Sequence, residues 1–199
     1  MHILICFNKR YDLRLFKEIR WTKKISIFPV GLIGYTQGVS FPIVAHKADK
    51  ASKQGQFNAL NRNDCEVIGF SDAWWGNRKY PVDMAGFAVN VDFLSSRPSH
   101  EMPFRVTKEE DGFLKSMNIK WSDFEPLADC GTKVYVWHTR TKGFDEQPIV
   151  RYGESSLQNK QIRNSNIRTL INRLQSQGVL KIKRWKGAAI NICTNPNGC

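Results

Sequence analysis

Three short stretches of this 199-residue chain carry side chains that could bind or transform a polar ligand. In "WWGNRKYPVDMAG", Arg78 and Asp83 stand five residues apart, just after Trp74 and Trp75 and just before a run of small residues. A cation and a carboxylate so placed could form one wall of a site, or a surface ion pair contributing well under about 1 kcal/mol. An indole face suits stacking on a sugar ring, and one of the two indoles suits core packing instead. The run "KEEDG" sets Glu109, Glu110 and Asp111 side by side. At a helix start three acids complement the macrodipole; alternatively one is a general base, within hydrogen-bond reach of a hydroxyl that it deprotonates. In "VWHTRT", His138 and Arg140 are two apart on a strand and point to one side. Two donors on one face suit a diphosphate or a carboxylate, and otherwise make a solvated strand end.

Periodicity supplies the elements that must position these groups. "YDLRLFKEIR" spaces Leu13, Phe16 and Ile19 by three, which predicts a short amphipathic helix. "KISIFPVGLIG" alternates up to Pro29 and reads as a strand closed by a glycine-containing turn. Residues 34–63 are rich in Gly, Ser, Lys, Gln and Asn and predict a long surface loop. "CEVIGF" is a second strand. "DMAGFAVNVDFL" reads as partly helical, with Phe87, Val91 and Leu94 on one face and Asp83 capping the start. "EEDGFLKSM" predicts a helix burying Phe113, Leu114 and Met117, although Gly112 counts against it. "TKVYVWHTR" is a strand ending at His138 to Arg140. "SNIRTLINRLQSQG" places Ile167, Leu170, Ile171 and Leu174 on one helical stripe closed by Gly178, and a strand-like "VLKIKRW" follows. Strands and helices interleaved with long loops favour an α/β or α+β class with its chemistry at strand ends.

With 41% apolar residues the chain can build a core, which excludes disorder throughout. The net charge of +12 favours an anionic partner. From Asp145 onward nine basic residues oppose three acidic ones, so 9 − 3 = +6 and the last quarter carries half the excess. Cys6, Cys65, Cys130, Cys193 and Cys199 are odd in number and lack C-x-x-C spacing, so neither a zinc site nor a fully paired disulfide framework is implied, while one bridge is open. The apolar start "MHILICF" is too short for a signal peptide or a membrane span. No nucleic-acid-binding motif accompanies the charge, and a nucleic-acid partner is not expected.

"VIGFSDAWWGNRKYPVDMAGFAVNVDFL", "EEDGFLKSM" and "CGTKVYVWHTRTK", together with "YDLRLFKEIRWTKKISIFPVGLIG", resemble the β-1,3-glucuronosyltransferases of glycosyltransferase family 43 over residues 11–142. The resemblance implies the C-terminal, acceptor-binding part of a GT-A α/β fold, a mixed sheet flanked by helices. It implies a homodimeric enzyme on the lumenal side of the Golgi membrane. The implied reaction is inverting transfer of glucuronic acid from UDP-glucuronate to the 3-hydroxyl of a terminal galactose, as in the glycosaminoglycan–protein linkage, with Mn²⁺ on the diphosphate. Carried over residue by residue, Glu110 is the catalytic base, with Glu109 or Asp111 as alternatives. Trp74, Arg78 and Asp83 face the acceptor, and His138 and Arg140 face the donor. The resemblance also divides the chain into an atypical segment 1–10, a catalytic part 11–144 and a basic extension 145–199.

The pattern departs from the family in one respect that matters chemically. Relatives carry three aspartates that bind Mn²⁺ and the UDP ribose just before the stretch equivalent to "YDLRLF". Here the corresponding place reads "ICFNKRY", and Phe7, Asn8 and Lys9 supply no carboxylate for a hard cation. The acceptor-contacting Glu of some relatives falls at Ser40. The expectation is a chain joined to foreign N-terminal sequence, or a degenerate paralogue, with little transferase activity by itself. A non-catalytic glycan- or polyanion-binding piece is the alternative.

Overall fold

A computed structural model describes residues 2–4, 9–33, 38–46, 64–72, 77–139, 149–153, 164–177 and 181–185. It is mixed α/β, the class the sequence predicts. The strands are β1 (His2–Leu4), β2 (Lys9–Tyr11), β3 (Ile25–Ile27), β4 (Val30–Ile33), β5 (Val39–His46), β6 (Cys65–Ser71), β7 (Phe87–Asn90), β8 (Phe124–Pro126), β9 (Val136–Thr139), β10 (Ile149–Gly153) and β11 (Lys181–Trp185). One sheet runs β1-β7-β3-β8 and a second runs β2-β9-β4-β5-β6. Both mix directions: β3 is parallel to β8 and β4 to β9, while the other neighbours are antiparallel. The parallel pair β10-β11 stands apart.

"KISIFPVGLIG" is therefore two strands in two sheets rather than one. Pro29 lacks the N–H a ladder needs, and the chain crosses there, with the Phe28 amide donating to the Gly86 carbonyl at 2.7 Å. The predicted loop 34–63 contains the longest strand, β5, buried from Val39 to Val44. Val39, Phe41 and Ile43 pack against Ile167, Leu170, Ile171 and Leu174, and Val44 packs on Cys65 and Cys130, so the run is buried throughout and shows no alternation.

Helix α1 (Arg14–Ile19) forms where expected but presents a different face. Leu15 and Ile19 are buried, whereas Leu13 is 77% and Phe16 47% exposed. "DMAGFAVNVDFL" divides into a 3-10 turn (Met84–Gly86) capped by Asp83, strand β7, and α2 (Val91–Ser95) capped by the Asn90 side chain. β7 is held between β1 and β3, so pairing overrides the helical spacing. Helix α3 (Glu109–Ser116) buries Phe113 and Leu114, and Met117 follows them into the core. Gly112 has a packing reason: a Cβ there would stand 2.4 Å from the Pro103 ring.

The strand predicted at "TKVYVWHTR" narrows to β9. A Cβ on Gly31, its partner in β4, would meet the Trp137 ring at 1.9 Å, so the indole lies flat over bare backbone. Helix α5 (Ile167–Ser176), which follows the one-turn α4 (Leu127–Gly131), lays Ile167, Leu170, Ile171 and Leu174 on Val39, Phe41 and Ile43 of β5. Each such aliphatic burial contributes about 2 kcal/mol. Gly178 lies outside the described residues.

Ala128, Asp129 and Cys130 in α4 have φ of 55°, 60° and 54°, a left-handed conformation costing roughly 1–2 kcal/mol per residue. Three anchors hold it. Cys130 is bridged to Cys65; the cysteine count allowed a bridge without naming its partners. The buried Asn166 side chain donates to the carbonyls of Gly131 (2.8 Å) and Pro42 (3.0 Å) and accepts from the Val44 amide (2.9 Å). Arg173 reaches Asp129 at 3.1 Å and the Thr132 hydroxyl at 2.6 Å.

Candidate active site

Strand β6 ends at Ser71, and the next residue, Asp72, is buried. Phe41 pairs with Ser71 across the antiparallel β5–β6 ladder, so Ser40 and Asp72 are the next cross-strand neighbours. The Ser40 hydroxyl donates to one oxygen of Asp72. The other oxygen accepts from Arg78 Nη2 at 2.7 Å, with both side chains under one-tenth exposed. Arg78 Nη1 donates to the Val82 carbonyl at 3.2 Å. The turn that brings Arg78 there opens at Asn77, whose φ of 54° suits asparagine. It is pinned by Tyr80, whose hydroxyl donates to the Ile119 carbonyl and whose amide donates to Asp111, both at 2.8 Å. Burial, with Asp111 and Asp123 nearby, pushes the Tyr80 hydroxyl up to about 12.

Arg78 and Asp83 therefore do not pair with each other. Asp83 uses one oxygen to cap the 3-10 turn, accepting from the Ala85 amide at 3.0 Å, and the other to meet His138 Nδ1 at 2.7 Å. Its ionised carboxylate can only accept, so Nδ1 carries the hydrogen and the imidazole orientation is fixed. A shallow crevice lined by Phe28, Ser40, Pro42, Val82, Asp83 and Gly86 joins this pair to the end of β5.

The three adjacent acids separate into different environments. Asp111 is buried, receiving the Tyr80 amide and, at 2.6 Å, the Lys115 ammonium, so it is committed to holding α3 and the turn. Glu110 is partly buried and lies within electrostatic range of Arg78 and Asp83. Burial raises its carboxyl above the ordinary 4.5; its own backbone N–H and the Arg78 charge oppose the rise, while Asp83 and Glu109 add to it. A carboxyl raised by burial and within electrostatic range of a cation is chemically suited to take a proton from a hydroxyl. Glu109 flanks it in the first turn.

Arg78, Asp83, Glu110 and His138 are thus brought to one place by the β6–β7 connection, α3 and β9. Trp74 and Arg140 lie outside the described residues. Asp72 is the site residue that spacing missed. "GFSDAWW" gives no sign that its acid turns inward, because the partner that neutralises it lies six residues on and its hydroxyl clamp 32 residues back. Among the described residues no three His, Cys, Asp or Glu side chains stand close enough to hold a metal ion.

A larger cavity of about 260 Å³ lies elsewhere, between the residues leading into β9 and α5, and is lined by Arg14, Lys133, Tyr135 and Arg173 among others. Its cations are already matched, Arg14 by Asp12 and both Lys133 and Arg173 by Asp129. It is the seam along which α5 docks.

Comparison with known proteins adds a second line of observation. The family model described as Glycosyltransferase family 43 matches residues 7–142. The Drosophila melanogaster galactosylgalactosylxylosylprotein 3-beta-glucuronosyltransferase S is 37% identical over 188 residues, 94% of this chain and 40% of that protein. The P enzyme of the same organism is 43% identical over 136 residues, 68% of this chain and 24% of its own length. Homo sapiens galactosylgalactosylxylosylprotein 3-beta-glucuronosyltransferase 3 is 34% identical over 153 residues, 75% of this chain and 40% of that protein. The chain thus spans two-fifths or less of the length of these relatives.

Proposed function

The chain belongs to glycosyltransferase family 43, and from that premise we propose that its Arg78–Asp83–Glu110–His138 cluster is the acceptor-and-base side of a glucuronosyl-transfer site. The observation that carries this is the partly buried Glu110, its carboxyl raised by burial, within electrostatic range of Arg78 and Asp83. The relatives named above are 3-beta-glucuronosyltransferases, and we extend their reaction to the whole protein. The donor is UDP-glucuronate and the acceptor the 3-hydroxyl of a terminal galactose. Glu110 removes the hydroxyl proton as the oxygen attacks the anomeric carbon in line, so one carboxylate suffices for inversion. Arg78 and Asp83 orient the acceptor, keeping the reacting oxygen near that carbon. His138, its Nδ1 held by Asp83, stabilises negative charge gathering on the departing diphosphate when Nε2 also carries a proton, with Arg140 in the same role and Trp74 as a stacking face for the acceptor.

Mn²⁺, which would neutralise the diphosphate, finds no cluster of ligands among the described residues; no step here runs through it, and we expect slow turnover at most from the 199-residue chain alone. We place the whole protein on the lumenal side of the Golgi membrane as a homodimer by the same likeness; no helix among the described residues is long and apolar enough to cross a membrane. The test is mass-detected transfer from UDP-glucuronate to galactose-terminated acceptors. The +12 charge favours a second reading, a non-catalytic glycan- or polyanion-binding piece. Binding on a glycan array without product, lost on Trp74→Ala, would support it.

A further inference from the structure

We infer that Asp72 is a positioning residue of this site: clamped by the Ser40 hydroxyl, it fixes the Arg78 guanidinium, which holds the Val82 carbonyl and so sets where Asp83 stands against His138. The inference rests on the acceptor-side function proposed above, and every link in it is a contact. Ser40 Oγ meets one Asp72 oxygen and Arg78 Nη2 the other at 2.7 Å. Arg78 Nη1 meets the carbonyl of Val82 at 3.2 Å, and the next residue, Asp83, meets His138 Nδ1 at 2.7 Å. The relay starts at the paired ends of β5 and the edge strand β6 and ends on β9, so it ties one side of the second sheet to a strand near its other edge.

Stability alone is a poor reason for such a pair. Burying Asp72 and Arg78 costs several kcal/mol of hydration per ion, and apolar residues of similar volume commonly serve a core as well or better. What an apolar pair could not do is aim a guanidinium. Asp72 occupies one side of its planar fork, which restricts Arg78 to the geometry that reaches the Val82 carbonyl. Ser40 and Asp83 line the same narrow crevice, so the clamp on Asp72 and the carboxylate that meets His138 border one space.

The 199-residue chain with Asp72→Asn provides the test, because asparagine keeps the shape and the bond to Ser40 but removes the charge. Two readings are taken well below the melting points of both proteins: calorimetric titration with a β-galactosyl disaccharide, and the ¹⁵N ring signals of His138. The expected result is an affinity at least tenfold weaker and His138 signals displaced toward those of Asp83→Asn. The Ser40→Asp, Asp72→Ser double variant, which moves the carboxylate across the strand pair, should recover affinity to within about threefold. Unchanged affinity and unchanged His138 signals in a folded Asp72→Asn protein would overturn the inference. If that variant does not fold, Ser40→Ala, which loosens the clamp while keeping the charge pair, should still move the His138 signals, and failure to do so would also overturn it. Absence of galactoside binding by the unaltered chain would refute the functional reading instead, with the His138 signals still deciding whether the relay exists.

Discussion

His138 Nδ1 and the Asp83 carboxylate are 2.7 Å apart although 55 residues separate them in sequence. One residue caps a 3-10 turn and the other sits on β9, so the contact joins two of the three segments whose residues form the proposed site.

Asp83→Asn separates capping from tautomer control. Asparagine caps as well as aspartate, so the melting temperature should change little. The amide can present a donor where the carboxylate only accepted, which releases Nδ1 from its fixed protonation. We expect transfer to fall about 10²-fold, the scale of losing a group fixed toward developing charge. Nitrogen-resolved spectra of the His138 ring should report the altered tautomer, and an unchanged ring would contradict the assignment.

Glu110 makes a pH prediction through stability. Its folded pKa lies above its ordinary 4.5, chiefly through burial, so the folded state binds more protons than the unfolded state in the window just above that value. Stability should therefore fall as pH rises through the window, and ionised Glu110 destabilises the fold at neutral pH. Glu110→Gln should melt higher than the unaltered protein at pH 7, with the difference closing below about pH 4. In a turnover assay, the same shift moves the acid limb upward from the ordinary 4.5.

Asn166 supports prediction on the fold itself. Its side chain satisfies two carbonyls and one amide around the left-handed turn and β5. Asn166→Ala orphans these buried groups and should cost about 3 kcal/mol, since each unsatisfied group costs roughly 1–3. For a chain of this size that lowers the melting temperature by about 6–12 °C. Reducing the Cys65–Cys130 bridge, which spans 65 residues, should cost up to about 4 kcal/mol in the chain-entropy account. Calorimetry with and without reductant checks both.

The α5 seam responds to acid. Burial raises the Asp129 carboxyl, but the Arg173 hydrogen bond and the Lys133 and Arg173 charges outweigh it and leave the group below its ordinary 3.8. The stabilisation is present above that value and is lost as pH falls beneath it toward the folded pKa. Arg173 is 39% exposed, so Arg173→Ala should cost below about 1 kcal/mol after solvent screening. The part of the loss due to the Asp129 pair should vanish in acid-melting curves at the lowest pH, leaving the part due to the Thr132 contact, and a difference constant with pH would show that charge is not involved.

Sequence disclosed what repeats locally and hid what depends on distant partners. The α5 stripe and the Phe113, Leu114 and Met117 face of α3 were legible because an element's own periodicity fixes them. β5 was hidden because a strand covered on both faces loses alternation, and β7 because its pairing with β1 and β3 outweighs local spacing. At the site, residue types and neighbourhood pointed to Arg78, Asp83, Glu110 and His138. The pairings were not legible: Arg78 turns to Asp72 and Asp83 to His138, choices made by sheet register rather than by nearness in sequence.

The central claim, that Glu110 is the base of a glucuronosyl-transfer site, is tested most directly by turnover in a chimera carrying residues 11–142 of this chain in place of the matching stretch of the Drosophila S enzyme. With UDP-glucuronate and a galactose-terminated acceptor, Glu110→Gln should lower kcat by roughly 10²–10⁴-fold while acceptor binding stays within about threefold. An unchanged kcat, or loss only after Glu109→Gln or Asp111→Asn, would contradict it.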